Sequence, residues 1–264
     1  MAFEAIEVEQ IGKVRRIWLN RPQVRNAQNK QLLDELDAAI VDAGRADNTN
    51  AVILAGRSDH FSAGHDFKER QKALDGFTLE SHYAFESRYY VEYCMRIWDL
   101  RKPIIAQVQG ACIGGGFMVA NMCDLVIASE DAYFADPVVQ TMSAAATEIL
   151  VHPWLMGLRR AKQFLYLGER MDAAEAYRVG LVNFVVPKDR LEAETLAAAE
   201  RIAQASPFTM QLMKNSLNTA ADMQGFRNAV KAHFHTHMMG HCSSDFQRLA
   251  KGGLKDAVDK NKKL

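Results

Sequence analysis

The chain has 264 residues, 48% of them hydrophobic and 24% charged, an ordinary balance for a soluble globular protein that can bury a sizeable core. Lys plus Arg and Asp plus Glu are equal at 32 each, so no global basic field draws it to nucleic acid or to a membrane surface. No apolar run approaches the ~20 residues of a membrane span, no basic-then-apolar leader opens the chain, and the cysteines (Cys94, Cys112, Cys123, Cys242) form no CxxC or paired pattern. A cytoplasmic protein with reduced thiols is expected.

Phe3 to Glu9 and Val14 to Leu19 read as two strands of a hairpin around Gly12, followed by the turn Asn20-Arg21-Pro22. Leu32, Leu33, Leu36, Ile40 and Val41 recur at helical spacing and predict an amphipathic helix over Lys30 to Arg45. Ala51 to Ala55 is a short apolar run, consistent with a buried strand. Next comes the loop Phe61-Ser62-Ala63-Gly64-His65-Asp66, in which Asp66 stands three residues before Glu69 at nearly capping-box spacing. Thr78 to Leu100 predicts a long helix rich in aromatics, ended by Pro103. Ile104 to Val108 is a strand, a glycine run follows, Gly116 to Met122 is a helix and Leu125 to Ala128 another strand. This alternation predicts an α/β sheet with crossovers. After about Ala144 the pattern is helical, with helices over Glu192 to Gln204, Phe208 to Leu217 and Phe226 to His237 and one apolar run at Leu181 to Val186. The basic tail, Lys251 to Leu264, reads as fraying unless a partner holds it.

Two segments carry chemistry. In Gly110-Ala111-Cys112-Ile113-Gly114-Gly115-Gly116-Phe117-Met118, small residues stand where a strand becomes a helix. Without Cβ atoms the backbone can approach a ligand closely, and the unbonded N–H groups of a first helical turn favour a developing anion. The plain alternative is tight helix–strand packing. The run is no dinucleotide fingerprint, and no Gly-Lys-Ser/Thr closes it as a phosphate loop. Together with the loop around His65 it suggests an oxyanion hole made of main chain.

The two segments, with Asn20-Arg21-Pro22, Asn26-Ala27, Lys68-Glu69, Cys123-Asp124-Leu125-Val126-Ile127-Ala128 and the stretch from Ala173 to Val182, resemble the crotonase superfamily of enoyl-CoA hydratases and isomerases over nearly the whole chain. The resemblance implies an α/β fold: a ββα spiral core that binds acyl-CoA (1–200) and a C-terminal helical region (201–264) that builds a homotrimer or a hexamer of two trimers. It implies an acyl-CoA substrate and no cofactor beyond the coenzyme A of that thioester. Backbone N–H groups of His65 and Gly115 would hold the thioester oxygen. Coenzyme contacts would come from backbone near Val24, Ala63 and Gly64, with Asp66, Met118 and Val138 also lining the substrate site.

Three positions depart from the family pattern. Its hydratases carry glutamates where this chain has Met118 and Val138, and some members an aspartate where it has Ala146. None of these side chains holds a proton, and a general acid or base contributes ~10²–10⁴-fold, so ordinary hydration of an enoyl thioester is not expected. Asp136 and Glu148 flank the emptied positions as candidate acid–base groups. For Asp136 the alternative is a loop carboxylate capping nearby N–H groups, and for Glu148 an ordinary acid in the first turn of an apolar helix. The side chain of His65 is left free to point to coenzyme or substrate, and Gly64-His65-Asp66 resembles a branch that decarboxylates malonyl-type thioesters. Three readings stay open: an enolate-forming lyase or isomerase, a decarboxylase or thioester hydrolase, and an acyl-CoA-binding protein without turnover. Tyr89, Tyr90 and Tyr93 offer hydroxyls or simply pack. His233, His237 and His241 share a helix face, but no acidic partner is placed beside them in sequence, so no metal is assigned.

Overall fold

The computed structural model describes residues 3–69 and 78–252. The hairpin forms between β1 (Ile6–Ile11) and β2 (Val14–Leu19), paired antiparallel from Ile11↔Val14 to Ile6↔Leu19. β3 (Ala51–Gly56), β4 (Ile104–Val108), β6 (Leu125–Ser129) and β9 (Phe184–Val186) then add in parallel, giving the order β1-β2-β3-β4-β6-β9. The parallel strands are apolar because both sheet faces are covered. On one face Val52, Leu54, Ile104, Ala106 and Val108 join the main core with Leu33 and Leu36 of α1 (Lys30–Arg45). On the other, Ala51, Ile53, Ala55, Ile105 and Ile127 pack with Leu191 and Ala199 of α8 (Leu191–Ala203).

A second, three-stranded sheet lies outside the sequence expectation. It consists of β5 (Ala111–Ile113), β7 (Tyr133–Ala135) and β8 (Met171–Asp172) in the order β5-β7-β8. Its strands are two or three residues long, too short to show a two-residue period. β5 falls inside the glycine run, so that segment is a strand before it is a loop.

The remaining helices frame the site. The predicted aromatic helix runs as α2 (Leu79–Glu86), a π-helical stretch (Ser87–Glu92) and α3 (Tyr93–Trp98), capped at Thr78 by reciprocal hydrogen bonds with Ser81. α4 (Gly115–Asn121) begins one residue earlier than predicted. α5 (Val138–Thr141), α6 (His152–Leu167) and α7 (Ala173–Arg178) follow, and α9 (Pro207–Met223), α10 (Phe226–His241) and α11 (Ser244–Gly252) close the described chain. The boundary expected at residue 200 falls inside α8, a helix that covers one face of the main sheet. Phe226 and Val230 of α10 belong to the main core, so the C-terminal helices also build the body of the molecule. Of the basic tail, residues 253–264 lie outside the described residues. No helix among the described residues is long and apolar enough to cross a membrane.

Candidate active site

The two loops singled out in sequence meet in space. Ser62 and Cys112 form an isolated parallel bridge, with Ser62 N–H donating to Ala111 O at 3.0 Å and Ile113 N–H to Ser62 O at 3.0 Å. Asn26 anchors the arrangement from below: its buried amide donates to the carbonyls of Arg57 (3.0 Å) and His60 (2.8 Å), and its Oδ1 accepts from Arg21 N–H. Ser62 Oγ donates to Asn26 O at 2.8 Å. Asp66 accepts from the N–H groups of Lys68 and Glu69, as its capping position predicts, and pairs with Arg21 at 3.0 Å.

A second bridge orients His65. Gln28 N–H donates to Gly64 O at 2.8 Å and Gln28 O accepts from Asp66 N–H at 2.9 Å, so the amide of His65 itself points away from Gln28. Among the described residues neither the His65 nor the Gly115 amide has a hydrogen-bond acceptor. The two glycines allow this closeness. Gly64 has φ +95°, and a Cβ there would lie 2.8 Å from Ile113 O and 3.3 Å from Gly115 N. A Cβ on Gly115 would lie 2.5 Å from Cε1 of His65 and 2.6 Å from Oε1 of Gln28. Two unsatisfied amides side by side in a shielded cleft can bind an oxygen that gains negative charge.

His65 and Gly115 both line a cleft open to solvent, with about 760 Å³ of space between its walls and the outside. Phe67, Val138, Met142 and Phe246 supply apolar wall, and His65, Glu86, Glu148 and His237 also line it. Glu148 is 5% exposed. It sits not in a helix but in the irregular stretch before α6, so its expected first-turn role does not hold. That stretch includes Ser143 (φ +53°) and Ala146 (φ +64°), left-handed conformations that cost L-residues energy and persist only where surroundings enforce them. Here the enforcement is visible. His233 Nε2 donates to Thr147 O at 2.7 Å and His237 Nδ1 to Ala146 O at 3.0 Å, both from α10. From the other side Asp136 accepts from Thr147 N–H and Oγ1–H, each at 3.0 Å.

Thus held, Glu148 Oε2 lies 3.3 Å from His65 Nε2 and Glu148 Oε1 lies 3.8 Å from His237 Nε2. The His65 ring stacks on Tyr90 with centroids 3.8 Å apart. His237 Nε2 is also 3.3 Å from Glu86 Oε2, whose Oε1 is 2.8 Å from His82 Nε2. Imidazoles and carboxylates therefore alternate along the row. Burial alone would neutralise Glu148, but the adjacent His65 and His237 outweigh it and hold the carboxyl below its ordinary range. Burial likewise opposes charging of His237, yet Glu86 and Glu148 carry its pKa up to about 9. His241, buried and beside cationic neighbours, is pushed down to about 4 despite Glu86.

Several expected site residues fall elsewhere. Asp136 is not among the lining residues: it is fully buried behind the wall, bonded to Thr147 and 3.2 Å from His152, which matches the capping alternative. Desolvation pushes its pKa up, but His152 and Thr147 prevail and keep it below the usual carboxylate value. Asp136→Ala is expected to cost roughly 3 kcal/mol of stability, as for breaking a buried pair, read from the denaturant midpoint. Because its folded pKa is depressed, this contribution is complete above the unfolded value of ~3.9 and fades as pH falls through the folded one. An equal midpoint at pH 7 would refute the assignment. Met118 lies behind the oxyanion loops in a smaller cavity with Gln28 and Tyr90, whereas Val138 lines the main cleft. Val24 stands at the surface in the turn Pro22–Val24, joined to the loop where Ala63 N–H donates to Arg25 O at 2.9 Å.

Glu86, His82 and the Gln28 amide were not anticipated. Both polar atoms of the Gln28 side chain are buried without a partner among the described residues. A signal for Glu86 existed: His82, Glu86, Tyr90, Tyr93 and Ile97 recur at helical spacing, so a carboxylate occupies the phase of the buried stripe. The acidic partners missing beside the α10 histidines in sequence are supplied by Glu86 and Glu148.

Comparison with known proteins identifies the family. A family model described as enoyl-CoA hydratase/isomerase matches residues 9–257. A putative enoyl-CoA hydratase of Mycobacterium tuberculosis, EchA13, is 38% identical over 258 residues, covering 90% of this chain and 81% of that protein. The crystal structure of a probable enoyl-CoA hydratase from Mycobacterium thermoresistibile is similar at a TM-score of 0.85 and 44% identity, covering 90% of this chain and 96% of that one. An enoyl-CoA hydratase/isomerase structure from Xanthobacter autotrophicus Py2 is similar at a TM-score of 0.91 and 32% identity, covering 98% of each chain.

Proposed function

The chain belongs to the enoyl-CoA hydratase/isomerase family, and from that premise we propose that it binds an acyl-CoA with the thioester oxygen on the His65 and Gly115 amides and moves a proton to and from the acyl chain on Glu148. The observation that carries this reading is a single cleft lined by His65, Gly115 and Glu148. When a proton leaves the α-carbon, the C–H electron pair becomes an enolate whose charge rests on the thioester oxygen. Preorganised donors stabilise such an oxygen by roughly 3 kcal/mol each. Glu148 takes the proton and returns it to carbon, the work of an isomerase or another enolate-forming lyase.

Adding water asks for a further group to hold that water, and Met118 and Val138 have none. The relatives' names favour hydration as a second reading, in which His65, 3.3 Å from Glu148, serves as the partner group. Decarboxylation of a malonyl-type thioester fits less well, because its carboxylate would meet Glu86 and Glu148 in the same cleft. Phe208, Leu212, Met213 and Leu217 on α9 are exposed in the single chain, which supports a homotrimer or hexamer.

Butyryl-CoA incubated with the protein in deuterium oxide should gain deuterium at its α-carbon, read by mass spectrometry. Crotonyl-CoA should lose its enoyl absorbance at least ~10²-fold more slowly, the contribution of one missing acid–base group. Fast loss would replace the first reading with hydration. Tight binding of both thioesters with neither reaction would make the chain a binder without turnover.

A further inference from the structure

The proposed proton carrier belongs to a longer arrangement. Reading inward from α2, the side chains His82, Glu86, His237, Glu148 and His65 follow one another as imidazole, carboxylate, imidazole, carboxylate, imidazole, at separations of 2.8, 3.3, 3.8 and 3.3 Å. They come from α2, α10, the stretch before α6 and the oxyanion loop, so only the folded chain assembles them. His237 is the wedge of this row. Its Nδ1–H is tied to Ala146 O, which leaves Nε2 between the two carboxylates. The same bond pins the strained backbone at Ala146, two residues from Glu148.

We propose that His237 is a positioning residue, a buried cation that keeps Glu86 and Glu148 apart and ionised and aims Glu148 at the acyl chain. This rests on the acyl-CoA reading above. Without His237, two carboxylates would face each other in a site poor in water, and like charges so placed share one proton. Glu148 would then rest protonated and unable to accept the α-proton. The other groups facing Glu148 do not supply the missing cation in the same place. From α2 comes Glu86, with His82 behind it, from α3 the thiol of Cys94, and from α10 also His241, with His233 on the neighbouring Thr147 carbonyl. His233 is held below its ordinary pKa by burial and His241 at about 4, so both are neutral at pH 7. His65 remains on the opposite carboxylate oxygen, Oε2 rather than Oε1.

The two neighbours of Glu148 predict opposite shifts. In the deuterium-exchange assay with butyryl-CoA, His237→Gln should move the acid limb of the rate profile up by at least one pH unit, with KM changed less than threefold. Glu86→Gln removes the like charge, leaves His237 paired with Glu148, and should move that limb down or leave it in place. Loosened packing would move both the same way, and that result would overturn the proposal. A readout independent of turnover is a histidine-selective NMR titration, with His237 assigned by its absence in His237→Gln. Its imidazole should stay protonated up to about 9 in the unmodified protein, and titration near an ordinary histidine value would refute the proposal. A stoichiometric divalent metal in the purified protein that is lost in His237→Gln would overturn it too, since a metal ion would then supply the positive charge. If Glu148→Gln exchanges like the unmodified protein, the acyl-CoA reading itself fails. If Glu148→Gln is inert while His237→Gln keeps the unmodified profile, only the role of His237 fails.

Discussion

Glu148→Gln is expected to lower the rate of α-proton exchange by roughly 10²–10⁴-fold while acyl-CoA still binds. The substitution keeps the shape of the side chain and removes only its capacity to hold a proton. Among the described residues no other carboxylate lining or backing the cleft is free to take over: Asp136 is locked behind the wall by Thr147 and His152, and Glu86 is engaged by His82 and His237. Binding should survive because the amide pair and the apolar wall are untouched. The variant should nevertheless shift the histidines. His237 loses one of the two carboxylates that raise its pKa to about 9, so its imidazole should titrate at lower pH. Exchange within threefold of the unmodified rate, in a variant with an unchanged circular dichroism spectrum, would remove Glu148 from the mechanism.

Gly64→Ala should be as damaging without removing any functional group. An alanine Cβ would sit 2.8 Å from Ile113 O, a backbone atom that no rotamer change can move. The φ of +95° is also one that L side chains rarely adopt. The loop must therefore shift, and with it the His65 amide that follows in sequence and the Gly115 amide that it faces. Losing one such donor costs ~10²–10³-fold in kcat, so misaligning both should cost at least ~10³-fold in kcat/KM. Thermal unfolding should show a cooperative transition, because Gly64 borders the cleft rather than the core. Retained activity would mean that the thioester oxygen binds elsewhere.

Much of the fold was legible from spacing alone. The helix over Lys30 to Arg45 and the strands Val14 to Leu19 and Ile104 to Val108 appear with the predicted limits, because the helix buries a regular apolar stripe and the strands are short runs buried almost throughout. The strand predicted from Phe3 instead begins at Ile6, since Ile6 is the first residue paired with β2. The apolar run from Leu181 to Val186 yields only three residues of strand, because β6 pairs no further than Ile127↔Phe184. The short second sheet left no periodic trace, and neither did the π-helical stretch inside the aromatic helix.

The amino-acid order by itself marked the two loops that meet at the cleft. Their close approach depends on what small residues permit locally, and glycine at Gly64, Gly114 and Gly115 is visible in one dimension. It also determined that Met118 and Val138 carry no proton. Which of the flanking carboxylates faces the cleft was decided only by the tertiary structure. Asp136 and Glu148 looked equivalent in sequence, yet one turns behind the wall toward Thr147 and His152 while the other faces the cleft. The difference arises from contacts between segments some ninety residues apart, where His233 and His237 hold the carbonyls of Thr147 and Ala146. Charge pairing in a buried site is a property of distance in space, and the alternation of His82, Glu86, His237, Glu148 and His65 exists only once four separate segments are packed together.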